Sequence, residues 1–145
     1  MSVREATEDD VDEILALITE LAEFEELAGH VVCTTDDLRR DLFGPDAVVR
    51  VALVVDDEGG SVAGMALWFP SFSTFLGRTG IWLEDLFVRE PYRKRGYGKA
   101  LLGHLRSQTG GRVEWEVLDW NQRAIDFYGA LGAAPVTGWT KYRWV

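Results

Sequence analysis

A strand-like run, Ile81 to Val88, passes through Arg93-Lys94-Arg95-Gly96-Tyr97-Gly98-Lys99 into a helix-like run, Ala100 to Arg106. A strand joined to a helix by a glycine-bearing basic loop commits this part of the chain to a layered sheet-and-helix fold. The loop also has a chemical bias. Gly96 and Gly98 let the backbone approach a ligand closely, and the free N–H groups of the first helical turn point at whatever sits there. Four cations within seven residues add charge attraction, so the segment reads as an anion cradle suited to a phosphate or pyrophosphate.

Two common cradles are excluded by spacing. A dinucleotide fingerprint requires a third glycine where this chain has Leu101. A Walker loop places four residues between its glycines, whereas Tyr97 alone separates Gly96 from Gly98. What remains is Arg-x-x-Gly-x-Gly between strand and helix. With the upstream Leu83-Glu84-Asp85-Leu86-Phe87-Val88 and the downstream Trp120-Asn121-x-x-Ala124-x-x-Phe127-Tyr128-x-x-Leu131-Gly132-Ala133, it resembles the GNAT superfamily of N-acetyltransferases. The resemblance implies acetyl-CoA as cosubstrate, its pyrophosphate held by backbone amides of the segment Arg93, Lys94, Arg95, Gly96, Tyr97, Gly98 and Lys99.

Length and composition fit one domain spanning residues 1–145: 47% hydrophobic residues supply a core, and neither a repeat nor a long linker divides the chain. No apolar run approaches the roughly 20 residues that span a bilayer, and the N-terminus lacks an apolar signal core, so no membrane association and a cytoplasmic location are expected. The single cysteine, Cys33, cannot form an intramolecular disulfide, which suits a reducing compartment. No metal-ligand pattern stands out, and none is expected. The net charge of −9 is uneven: residues 1–46 carry 14 Asp/Glu against 3 Arg, whereas residues 89–106 carry 6 Lys/Arg against Glu90 alone. That distribution suits an anionic cosubstrate and a cationic acceptor, and makes nucleic acid a poor partner.

Periodicity predicts a short strand over Val3 to Ala6, then a helix capped by Thr7 whose stripe is Val11, Ile14, Leu15, Ile18, Leu21 and Ala22. A second helix is predicted from Thr35 to Phe43, ended by Gly44-Pro45. A hairpin over Val48 to Val55 and Ser61 to Phe69 is stopped by Pro70. A further strand over Val113 to Leu118, a helix over Ala124 to Leu131 and a last strand over Thr140 to Val145 complete the pattern. Alternation of this kind indicates an α/β (α+β) sandwich around one mixed sheet. The resemblance refines this to a mostly antiparallel sheet flanked by about four helices, whose central strands, Ile81 to Val88 and Val113 to Leu118, splay so that pantetheine can lie between them.

Acetyl transfer to an amine needs an amine without its proton. With a pKa of about 10.4, an aliphatic amine is almost wholly protonated at neutral pH, so a base or a desolvating pocket is required. Glu84 and Asp85 interrupt an apolar strand, and simple alternation puts them on opposite faces, Glu84 with Trp82, Leu86 and Val88, Asp85 with Ile81, Leu83 and Phe87. An unpaired carboxylate in a covered strand is costly, which points to a role or to a salt bridge with a neighbouring arginine. The Leu-Glu-Asp-x-Phe-Val string is similar to the spermidine/spermine branch. That resemblance implies Glu84 as the base, directly or through water, and Asp85 as a holder of the cationic substrate. It further implies Tyr128 as the acid for the departing thiolate, Asn121, Gln122, Arg123 and Ala124 as cofactor contacts, and the backbone of Leu86, Phe87 and Val88 as partner of the pantetheine amides.

Leu21-Ala22-Glu23-Phe24-Glu25 resembles the L-A-x-Y-E of the same branch, with Phe24 in place of the tyrosine, so Phe24 and Glu25 are implied to line the substrate site. A homodimer is implied too, although the chain stops at Val145 where relatives usually continue. The expectation is an acetyl-CoA-dependent N-acetyltransferase acting on a primary amine of a polyamine, a diamine or a thialysine-like amino acid by direct transfer. The rivals are acetylation of another amine, such as an antibiotic or a protein N-terminus, and a non-catalytic acyl-CoA sensor.

Overall fold

The computed structural model describes residues 1–145. Its centre is a five-stranded sheet in sequence order: β1 (Ser2–Glu5), β2 (Arg50–Val55), β3 (Val62–Ser73), β4 (Arg78–Val88) and β5 (Val113–Trp115). All neighbours are antiparallel except β4 and β5, which run parallel. The helices α1 (Val11–Phe24), α2 (Thr35–Phe43), α3 (Tyr97–Ser107) and α4 (Gln122–Ala130) cover the sheet. No helix is long and apolar enough to cross a membrane.

Each face of the sheet carries its own core. Val11, Ile14 and Leu17 of α1 and Leu38 of α2 pack on Leu53, Met65 and Phe87, whereas Leu101 and Leu105 of α3 pack on Ala52, Val54, Ile81 and Leu83. Burying a side chain such as Leu17 or Leu105 fully contributes about 2 kcal/mol, so these stripes fix how the helices sit on the sheet. The buried stripe of α1 includes Leu17, whereas Leu15, Ile18 and Leu21 are half-buried beside it. Capping is strong at both N-terminal helices. Thr7 and Asp10 form a capping box on a single 3-10 turn that runs into α1, and Thr34 and Asp37 form one on α2. Cys33 is half-buried beside α2, and burial, then Asp37, pushes its thiol up, as befits a packing residue.

Three expectations are corrected. Pro70 does not stop β3, which continues to Ser73. The Ile81 N–H bonds the Arg112 carbonyl on the β5 side, so the Pro70–Ile81 pair is a non-hydrogen-bonded one, and β2 has already ended opposite Trp68; the missing N–H of Pro70 thus breaks no ladder bond. The strand predicted to Leu118 ends at Trp115. Residues 133–145 form no helix or strand, so the predicted strand over Thr140 to Val145 is absent, and Trp139, Tyr142 and Trp144 are exposed.

A fourth correction concerns the alternation along β4. Leu67 faces Asp85 while Trp68 faces Leu83, which leaves Glu84 as the extra residue of a β-bulge. One inserted residue exchanges the two faces beyond it. Leu86 and Val88 therefore pack on the same core as Ile81 and Leu83, and Phe87 packs on the opposite one.

Candidate active site

β4 and β5 pair only from Ile81–Val113 to Leu83–Trp115 and then part. Into this splay opens a cleft of about 350 Å³. Its walls come from β4 beyond the bulge, the residues after β5, the end of α1, the start of α3 and one side of α4. The Arg89 N–H bonds the Ala63 carbonyl of the neighbouring strand, so by alternation the backbone of Phe87 faces β3 while that of Leu86 and Val88 faces the cleft. Of the three residues expected to offer backbone groups there, two do so. The Val88 carbonyl accepts a 2.8 Å bond from Arg93 Nε. The Arg93 guanidinium lies 5.0 Å from the ring of Phe24 and 5.6 Å from that of Phe87, spanning the two walls. Burial, then Arg123, lowers its pKa below the ordinary value.

The basic loop is shaped as a cradle. Gly96 caps α3 with φ of 83°, a left-handed conformation in which a side chain is strained. Gly98 answers a different demand: a Cβ there would stand 3.2 Å from Phe127 Cζ. The first backbone bond inside α3 runs from Ala100 N to Gly96 O, which leaves the N–H groups of Tyr97, Gly98 and Lys99 without helical partners. Lys94, Gly96 and Lys99 border the cleft, whereas Arg95 does not and instead lies 6.0 Å from the Tyr92 ring. The Tyr97 side chain turns into the core, its hydroxyl donating to Asp56 Oδ1 at 2.6 Å. Arg89, counted in the basic island, is held by Glu13 and Glu20 of α1 and the Val62 carbonyl, so its charge serves the fold.

At the start of α4, Asn121 Oδ1 accepts from the Ala124 N–H at 3.2 Å, an N-cap that explains an asparagine there without a ligand. Asn121, Arg123 and Ala124 border the cleft. Gln122 does not; its amide donates to Asp126 at 2.7 Å along the outer face of the helix. Tyr128 is half-buried with its ring 4.9 Å from Trp115. Burial, then the charge of Glu25, pushes its hydroxyl up to about 12.

The bulge brings Glu84 and Asp85 to the same cleft instead of opposite faces. Neither carboxylate has a salt bridge, so the pairing with an arginine that would have explained them is absent. Glu84 is exposed and accepts from Trp82 Nε1 at 2.9 Å. Asp85 is half-buried, and burial, then the charges of Glu84 and Glu25, pushes it up to about 6. Burial likewise raises Glu25, which borders the cleft with Phe24. The Phe24 ring packs against that of Trp120, the two tilted by 47° with their centroids 6.2 Å apart. Sequence reasoning missed Glu116, which borders the cleft and holds Lys141; the strand expected to run on to Leu118 ends one residue before it.

The sequence matches the family model described as the acetyltransferase (GNAT) family over residues 11–133. It is 38% identical to the thialysine N-epsilon-acetyltransferase of Bos taurus across 97% of this chain and 90% of that one. It is 42% identical to the L-ornithine N5-acetyltransferase of Arabidopsis thaliana across 72% of this chain, a match that spans 43% of the plant protein's length. Among solved structures, an integron cassette protein of V. cholerae superposes with a TM-score of 0.80 at 22% identity, covering 99% of this chain and 91% of that one, a likeness of fold alone. Family match, relatives and architecture agree: this chain belongs to the GNAT acetyltransferase family and is an N-acetyltransferase.

Proposed function

We propose that the chain transfers the acetyl group of acetyl-CoA directly to a primary amine of a small cationic acceptor: a polyamine, a diamine or a thialysine-like amino acid. One observation carries this reading: a single cleft is bordered both by the unpartnered helical N–H groups and lysines of the basic loop and by four carboxylates and a phenol. GNAT acetyltransferases use acetyl-CoA as cosubstrate. The residues present fit it, since a glycine cradle, an N-terminal helical turn and two outward-facing residues of β4 match its pyrophosphate and its amide-bearing arm. The bound thioester supplies the activated acetyl group.

In this reading the N–H groups of Tyr97, Gly98 and Lys99 bind the pyrophosphate, with Lys94, Lys99 and Arg123 adding charge. Leu86 and Val88 offer backbone groups to the pantetheine amides, and the Arg93 side chain leaves the Val88 carbonyl as they engage. Glu25, Asp85 and the ring of Phe24 receive the cationic amine. Glu84 removes its proton, directly or through water, and Tyr128 donates one to the departing sulfur. A phenol near 12 keeps its proton throughout the physiological range but gives it up reluctantly to a thiolate near 8.5. A cationic acceptor beside Glu25 offsets part of the charge that raises the phenol, so binding of the right substrate makes Tyr128 a better acid.

One observation favours a second reading of the base. Asp85, pushed up to about 6, lies nearer than an ordinary carboxylate to the pH at which a general base works best. The pH dependence of kcat/KM in Glu84→Gln and Asp85→Asn separates the two, because only loss of the true base removes the acidic limb. A homodimer is part of the proposal, supported by Trp139, Tyr142 and Trp144, which are 77%, 91% and 99% exposed. The deciding experiment is acetyl-CoA consumption against a panel of diamines, polyamines, amino acids, aminoglycosides and peptide N-termini. Turnover confined to the last two groups would replace the acceptor class, and no turnover with any amine would favour the sensor.

A further inference from the structure

Glu116 has no part in the chemistry above, yet it borders the same cleft. It follows Trp115, the last residue of β5 to pair, and Glu84 follows Trp115's partner Leu83. The two glutamates therefore flank the point where the strands part. Glu116 already carries a cation: its Oε1 accepts from Lys141 Nζ at 2.5 Å. Of residues 134–145, all exposed and outside any helix or strand, Lys141 alone is hydrogen-bonded to the rest of the chain. The side chains are 50% and 58% exposed, so the pair is weak and readily exchanged.

A primary ammonium on a flexible four-carbon stem, resting on a carboxylate of the cleft, has the chemistry of one end of a diamine. We propose that Glu116 is the subsite for the acceptor's non-reacting ammonium, and that Lys141 is the chain's own competitor for it. The reacting amine must be neutral when it attacks, so a lasting ion pair serves the group that stays charged. Glu116 joins Glu25, Glu84 and Asp85 around the acceptor, and a further carboxylate brought in by the substrate would be repelled. The acceptor selected is thus a diamine or polyamine without a carboxylate, in preference to an α-amino acid with a side-chain amine. This inference rests on the reading of the cleft as an amine-acetylating site.

The test uses 1,5-diaminopentane, pentylamine and ornithine as acceptors for the full chain and for Glu116→Gln, Lys141→Gln and the double variant. Lys141→Gln should lower the KM for the diamine about two- to fivefold, the range of an exposed ion pair, and leave those for pentylamine and acetyl-CoA unchanged. Glu116→Gln should raise the diamine KM by a similar factor and narrow the preference for diamine over ornithine. The double variant should match Glu116→Gln, because a competitor without its site has no effect. Equal changes for diamine and monoamine, or none, would overturn the subsite. If no acceptor turns over, the acetylation of small amines fails instead. Calorimetric affinity for 1,5-diaminopentane then decides the subsite by itself: tighter in Lys141→Gln and weaker in Glu116→Gln supports it, and equal affinities refute it.

Discussion

Phe127 fills the space that any side chain on Gly98 would need, its Cζ standing 3.2 Å from where a Cβ would be. The cradle and the helix that carries Tyr128 are therefore fitted to each other. Gly98→Val should push the Phe127 ring away, cost about 1–3 kcal/mol of stability by overpacking, and raise the KM for acetyl-CoA at least tenfold. Gly98→Val combined with Phe127→Leu should recover much of both losses. Thermal melts and initial rates on the four forms check the coupling; strictly additive effects would show that the two residues act independently.

Tyr128→Phe keeps the ring against Trp115 and removes the proposed acid. We expect kcat to fall about a hundredfold while the KM for acetyl-CoA changes less than threefold. Because the phenol titrates near 12, loss of its proton should not limit the wild-type rate below about pH 10. Steady-state rates from pH 6 to 10 are the measurement, and equal turnover by the two forms would remove Tyr128 from the chemistry.

Asp85 makes the same cleft a strained part of the fold. Its folded pKa of about 6 lies above the ordinary 3.8, so the folded state binds this proton more tightly than the unfolded state does. The stability this contributes is complete below about pH 4 and is lost as pH rises through 6. Asp85→Asn should consequently raise Tm at pH 7.5, by the equivalent of about 2 kcal/mol, and match wild type near pH 4 while losing activity. A variant less stable than wild type at pH 7.5 would show that the carboxylate is better satisfied than its burial implies.

The parts legible in the sequence were those set by local chemistry. Gly96 and Gly98 between strand and helix announced the cradle, and the helix read from Thr35 to Phe43, ended by Gly44-Pro45, matches α2 to the residue. The Val11 and Ile14 spacing placed α1, yet Leu17 went unnoticed because adjacent apolar residues made the stripe ambiguous. The bulge at Glu84 was invisible, since nothing in Leu83-Glu84-Asp85 demands an extra residue; it arises from register against β3. For the same reason Glu84 and Asp85 were assigned to opposite faces. Trp139, Tyr142 and Trp144 have the composition of a strand, but β5 ends at Trp115, and they pair with no strand. Pairing partners, unlike caps and turns, are not local.

Arg89 links the end of β4 to α1, and so connects the fold to the acceptor wall. It donates to Glu20 and Glu13 and to the Val62 carbonyl at 3.0 Å, while α1 ends at Phe24 and presents Glu25 to the cleft. Arg89→Met keeps the apolar stem but leaves both carboxylates without their partner. We expect a loss of about 1–3 kcal/mol and a rise in the amine KM, as Phe24 and Glu25 lose their anchor, with the KM for acetyl-CoA little changed. Arg89→Lys should recover only part of this, because a single ammonium cannot reproduce the guanidinium's fork across Glu13 and Glu20. Denaturant midpoints paired with KM values for both substrates are the check. A rise in both KM values together would mean that Arg89 holds the whole cleft rather than its acceptor wall.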